Sequence, residues 1–105
     1  MALDAAWEFT RLKGDGGMIR AVDWSITWTD PDYPGTEIVS SGITAEGVEI
    51  RADSATKAQV EAAITAALGS KLDAIRAHVA ETMPAQHRWE SMQVIELPGI
   101  VAPAA

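Results

Sequence analysis

The stretch TKAQVEAAITAALGSKLDAIRAHVAETM, Thr56–Met83, decides how this chain folds. Its larger apolar residues are Val60, Ile64, Leu68, Leu72, Ile75, Val79 and Met83, separated by 4, 4, 4, 3, 4 and 4 positions. That spacing draws one apolar stripe along a helix. Lys57, Gln59, Glu61, Lys71, Asp73, Arg76 and Glu81 fall between these positions and supply the wet face. Thr56 with Gln59 three residues on is a capping-box pattern, which predicts a helix start at Lys57. Pro84 has no N–H and disfavours helical backbone in the residue before it, so the helix is predicted to stop there. Gly69 and Ser70 combine a helix stop with a fresh N-cap. The stretch is therefore one kinked helix or two helices, 57–68 and 71–83, with a break or sharp kink at Gly69 preferred.

Upstream, the period changes from helical to alternating. In Met18–Thr29, Val22, Trp24, Ile26 and Trp28 alternate with Asp23, Ser25, Thr27 and Thr29, a half-buried strand. In Trp7–Leu12 the same reading puts Trp7, Phe9 and Arg11 on one side and Glu8, Thr10 and Leu12 on the other. Trp7 and Phe9 are expected across from the buried side of the second strand. Lys13–Gly17, KGDGG, reads as the turn between them. After the loop Asp30–Gly35, DPDYPG, Thr36–Ile43 resembles a third strand, weakened by Ser40, Ser41 and Gly42. Thr44–Gly47 turns the chain and Val48–Ala52 reads as a short fourth strand.

Strands followed by helices predict an α+β fold. The expected architecture is an antiparallel three- to four-stranded meander followed by one kinked or two consecutive helices packed on one sheet face. Residues 1–6 are expected as an N-terminal arm and 7–83 as the single domain. Residues 84–105 are expected as a connector and extended C-terminal arm. Within them Pro84–Glu90 reads as the connector and Ser91–Leu97 as an edge strand. The remainder, PGIVAPAA, is too short and Pro-broken for a helix.

The 105 residues suffice for one domain with a modest core. No cysteine is present, which excludes disulfides, thiolate metal sites and Cys nucleophiles. Net charge is −7, from 15 acidic and 8 basic residues. Nucleic-acid binding needs clustered cations, so this balance argues against it. No apolar run approaches membrane-spanning length, so no membrane partner is expected. The start, MALDAAWEF, has neither a basic nor an apolar leader region, so no secretory signal is expected.

Candidate chemistry is sparse. Asp30 and Asp32 could face a hard cation, but Pro31, Tyr33 and Pro34 supply none of the further ligands, and both read as turn residues. His78 and His87 match no zinc spacing, and His78 reads as a boundary residue at the edge of the stripe. No serine sits in G-x-S-x-G. Gly14, Gly16 and Gly17 precede a strand rather than a helix, so they cradle no phosphate. No catalytic, cofactor-binding or metal residue is assigned, and no cofactor. Trp7, Trp24 and Trp28 read as core. Arg88–Trp89 lies outside the periodic elements, and both residue types are enriched at interface hot spots. The pair is either a clasp folding back on the domain or a contact to a partner. With Leu97, Ile100 and Val101 it makes up the candidate protein interface.

Several patterns together resemble a family of small uncharacterised proteins encoded by tailed bacteriophages. They are Trp7, Ala21–Trp24 (AVDW), Ser41–Gly42, Thr56–Val60 (TKAQV), Ala67–Gly69 (ALG) and Ile75–Ala80 (IRAHVA). They span about residues 7 to 81. The long Pro-rich tail and the weak third strand depart from the pattern. The resemblance implies a virion accessory made in the host cytoplasm, a capsid decoration or cement protein or a tail-associated protein, and no active site. The expected partner is a larger capsid or tail protein, met through arms at residues 1–9 and 88–105. Self-association into a homo-oligomer stays open. The alternative is a small acidic phage-encoded inhibitor of a host enzyme. Its sharpest form is a DNA mimic, which would need Asp23, Asp30, Asp32, Glu37, Glu46, Glu49 and Asp53 to lie in one plane.

Overall fold

The computed structural model describes residues 3–100. In chain order the elements are β1 (Asp4–Asp15), β2 (Met18–Thr29), β3 (Ile38–Thr44), β4 (Ile50–Arg51), a 3₁₀ turn (Ala52–Ser54), α1 (Lys57–Leu68) and α2 (Ser70–Ser91). The strands form one antiparallel sheet in the order β1-β2-β3, and β4 pairs with the start of β2 beyond the end of β3. Both helices lie over one face. This is the expected α+β meander with two helices after it.

β2 is the spine of the sheet. Its alternation places Val22, Trp24, Ile26 and Trp28 in the core. Trp7 and Phe9 of β1 lie opposite Ile26 and Trp24, and the Trp7 ring sits 5.8 Å from that of Trp24. The hairpin closes on Gly16 and Gly17 alone, both at positive φ as a two-residue I′ turn requires. Lys13, Gly14 and Asp15, expected in the turn, belong to the strand.

The alternation read for β1 fails after Phe9. Phe9 faces Trp24 but Arg11 faces Asp23, so Thr10 is an extra residue in a bulge. Beyond it the faces exchange. Leu12 stands opposite Val22 on the helix-covered side, and Arg11 opposite Asp23 on the open side. The bulge thus sets Leu12, still 45% exposed, on the helix side and the cation on the open side. Thr10 Oγ1 donates back to the Asp23 carbonyl at 3.3 Å.

Ser40, one of the residues that made β3 look weak, and Thr44, expected in the turn but the last residue of β3, hold the tryptophans. Trp24 Nε1 donates to Thr44 Oγ1 at 2.9 Å, and Trp28 Nε1 donates to Ser40 Oγ at 3.0 Å. A buried indole N–H without a partner is costly, so these hydroxyls belong where they are. The guanidinium of Arg76 on α2 lies 5.1 Å from the centre of the Trp28 ring, a cation–π contact between helix and sheet.

The helical stretch divides as preferred. Thr56 and Gln59 form the capping box, with bonds of 3.2 and 3.0 Å. Gly69 breaks the run at φ 53°, which only glycine adopts without strain. Val60, Ile64, Leu72, Val79 and Met83 are buried, with Leu68 and Ile75 packed against them. Trp24, Ile26, Leu72 and Ile75 therefore share one interior.

The C-terminal expectations need correcting. α2 runs through Pro84 to Ser91, so Pro84–Glu90 is helix rather than connector. A proline inside a helix costs one backbone bond and about 3 kcal/mol. Here side chains beyond it hold the helix to the body, as set out below. Ser91–Leu97 is not an edge strand: it pairs with no strand among the described residues, and Met92–Ile100 is exposed throughout. At the other end, β1 begins at Asp4, so half of the expected N-terminal arm is strand. The long hairpin and the projecting C-terminal segment raise the radius of gyration to 18.1 Å, against about 13 Å for a compact chain of this length.

Candidate interaction surface

α2 ends at the rim of the sheet, beside the loop between β2 and β3. Thr36, buried at the head of β3, donates from Oγ1 to Glu90 Oε1 at 2.8 Å. The hydroxyl has one proton, so the 2.9 Å link between Thr36 Oγ1 and His87 Nδ1 assigns the donor to the ring N–H. The Tyr33 ring tilts against that imidazole, with centroids 5.5 Å apart. Gln86 Nε2 donates to Glu90 Oε2 at 3.2 Å and braces the carboxylate. These links, 51 and 54 residues apart in sequence, form the clasp that carries α2 past Pro84.

With His87 and Glu90 engaged on Thr36, Arg88 and Trp89 face outward. Trp89 is 71% exposed. A clasp does exist at the end of α2, but Trp89 takes no part in it. The chain then leaves the helix at Met92, where backbone turns extended at φ −83° and ψ 150°. Met92, Val94, Ile95, Leu97 and Ile100 follow, all exposed, with Val94 at 88%. A Pro98–Gly99 turn closes with Ile100 N donating to Leu97 O at 2.9 Å. The candidate residues Arg88, Trp89, Leu97 and Ile100 thus form one continuous projecting element, rigid at its base and extended beyond. Val101 lies outside the described residues.

Sequence reading missed Met92, Val94 and Ile95 because it placed them in a strand. It offered a clasp at Arg88–Trp89 but missed the residues that form it, because His87 and Glu90, three apart, share a face only on a helix that runs through Pro84.

The other candidates settle as follows. Asp30 is a buried turn residue, accepting from Asp32 N at 2.9 Å through Oδ1, while its carbonyl accepts from Tyr33 N at 2.9 Å. Its second oxygen is buried with no hydrogen-bond partner among the described residues. His78, expected at the edge of the core, is exposed on α2. No group of three or more His, Asp or Glu among the described residues could hold a metal ion. The acidic set does not stand free in one row: Asp30 is buried, Glu49 pairs with Arg20 at 3.1 Å, and Asp53 pairs with Arg51 at 3.2 Å. No helix among the described residues is long and apolar enough to cross a membrane. Comparison with family models, curated proteins and solved structures finds no match to this chain.

Proposed function

We propose that this chain is a non-enzymatic structural component of a bacteriophage particle, a capsid-decoration or tail-associated accessory that docks on a larger virion protein. The observation that carries the reading is the projecting element Arg88–Ile100. It presents Trp89 and five further large apolar side chains to solvent on a chain that has already buried its own core. Apolar surface this continuous on a small domain marks a binding element.

The energetics favour a two-part contact. Burying each large apolar side chain of the arm contributes about 1.5–3 kcal/mol, while ordering each backbone residue costs about 1–2 kcal/mol. The arm alone comes close to break-even. Trp89 and Arg88 stand on a helix already ordered by the clasp, so their burial adds a surplus at little further entropic cost. The acidic body suits a partner with a basic docking surface.

The test is mass spectrometry of purified particles with copy-number measurement, followed by reassociation of a chain ending at Ser91. The full chain is expected in particles at high copy number, and the truncated chain is expected to fold but associate weakly. Absence from particles, or full-strength association of the truncated chain, would overturn the reading.

A further inference from the structure

The two long edges of the sheet differ in a way the core does not require. β1, twelve residues long, carries Asp4, Glu8, Arg11, Lys13 and Asp15, and its register slips at Phe9/Arg11 and again at Lys13/Gly14. Charges and bulges of this kind keep an edge strand from pairing with another chain. β3, Ile38–Thr44, has neither. Its sequence IVSSGIT holds no charge and no proline, and its register with β2 runs unbroken from Val22↔Thr44 to Trp28↔Ile38. On the open side of the sheet it shows Val39 at 61% and Ile43 at 74% exposure. No strand among the described residues lies along its outer edge, and the C-terminal arm does not cover it.

We propose that the outer edge of β3 pairs antiparallel with β3 of a second copy about a two-fold axis at Ser41, joining two sheets into one. The sequence is self-complementary in that register. Ser41 meets the partner's Ser41, Val39 meets the partner's Ile43, and Ile43 meets the partner's Val39, all on the open face. Each apolar side chain left uncovered by its own subunit gains an apolar cross-strand neighbour. An isologous pairing closes on itself and leaves no further β3 edge, so it stops at a dimer.

Charge selects this edge. Each copy carries −7, so two copies repel wherever charged surface meets. β3 is the uncharged line of approach. Its flanks still bear on the outcome: the register sets Glu37 of one protomer opposite the partner's Ala45, one residue from its Glu46, at both ends. Screening of those acids makes the dimer tighter at high ionic strength. Area sets the strength. Seven residues give an edge about 24 Å long, which places the interface at the low end of specific contacts. The dimer is weak in dilute solution and fills where copies are concentrated side by side. This pairing uses none of the arm residues, so it stands or falls separately from the proposed docking on a virion protein.

The chain lacks cysteine, so a single introduced thiol reports the register directly. Paired antiparallel residues have Cα atoms about 4.5–5.5 Å apart, within disulfide reach. Under mild oxidation Ser41→Cys is expected to give a covalent dimer, and Glu8→Cys on the β1 edge is not. In sedimentation of the full chain from micromolar to millimolar concentration, a monomer–dimer equilibrium is expected that tightens with added salt. Ile43→Lys, at an exposed site, is expected to keep the circular dichroism spectrum and weaken the dimer by about tenfold or more. A chain ending at Ser91 is expected to dimerise as the full chain does. A monomer at all concentrations overturns the proposal. So does cross-linking of Glu8→Cys in place of Ser41→Cys, a dimer indifferent to Ile43→Lys, or one lost with the arm.

Discussion

Gly42 lies so close under the indole of Trp24 that a Cβ at this position would stand 2.9 Å from Cζ2 of the ring. The two are paired residues on neighbouring strands. The missing side chain is what lets the indole lie across β3 and reach the hydroxyl of Thr44. Gly42→Ala is therefore expected to destabilise by about 1–3 kcal/mol, the usual cost of overpacking. Thermal unfolding checks this, and Trp24 emission should shift in the still-folded variant.

The bond from Trp28 to Ser40 invites a second substitution. Trp28 is fully buried and its N–H has this hydroxyl as acceptor. Ser40→Ala leaves the indole donor unpaired, with an expected loss of about 1–3 kcal/mol. Denaturant titration gives the value. Ser41→Ala, one residue on but facing the open side, is the control and should cost less than about 0.5 kcal/mol.

Thr36→Val keeps the shape of the side chain and removes the hydroxyl that joins His87 to Glu90. The helix beyond Pro84 then loses its tie to the sheet. Hydrogen exchange should speed up across residues 85–91 while residues 70–83 stay protected by Leu72, Val79 and Met83. Equal loss of protection across the whole of α2 would show that the clasp does not act locally.

Pro84→Ala restores an N–H to the middle of α2. The position is exposed, so no packing is lost. The substitution is expected to stabilise the chain, by at most about 3 kcal/mol, reduced because proline also restricts the unfolded chain. A raised Tm is the readout. A lowered one would mean that the bend proline imposes is needed to bring His87 to Thr36.

Removing the arm should be nearly neutral for the body. None of the core residues lies beyond Met83, so a chain ending at Ser91 is expected to unfold within a few degrees of the full chain. A large drop in Tm would give the segment a structural duty that its exposure does not suggest.

What could be read from the chain alone was whatever depends on near neighbours. The apolar stripe of Thr56–Met83, the alternation of Met18–Thr29, the Thr56–Gln59 cap and the break at Gly69 each rest on interactions within a few residues, and periodicity records these. Trp89, Leu97 and Ile100 stood out as large apolar residues outside that periodicity. What only the tertiary structure decided depends on partners far along the chain. The bulge at Thr10 shows only in the pairing with β2, where Leu12 comes opposite Val22. Ser40, a poor strand residue by propensity, and Thr44, read in a turn, are held in the strand by indoles 12 and 20 residues away. α2 crosses Pro84 because Thr36, 54 residues before Glu90, waits at its far end. Propensity weighs a residue against its own neighbours. A hydrogen bond worth more than that preference, made to a group brought close only by folding, leaves no periodic mark in the sequence.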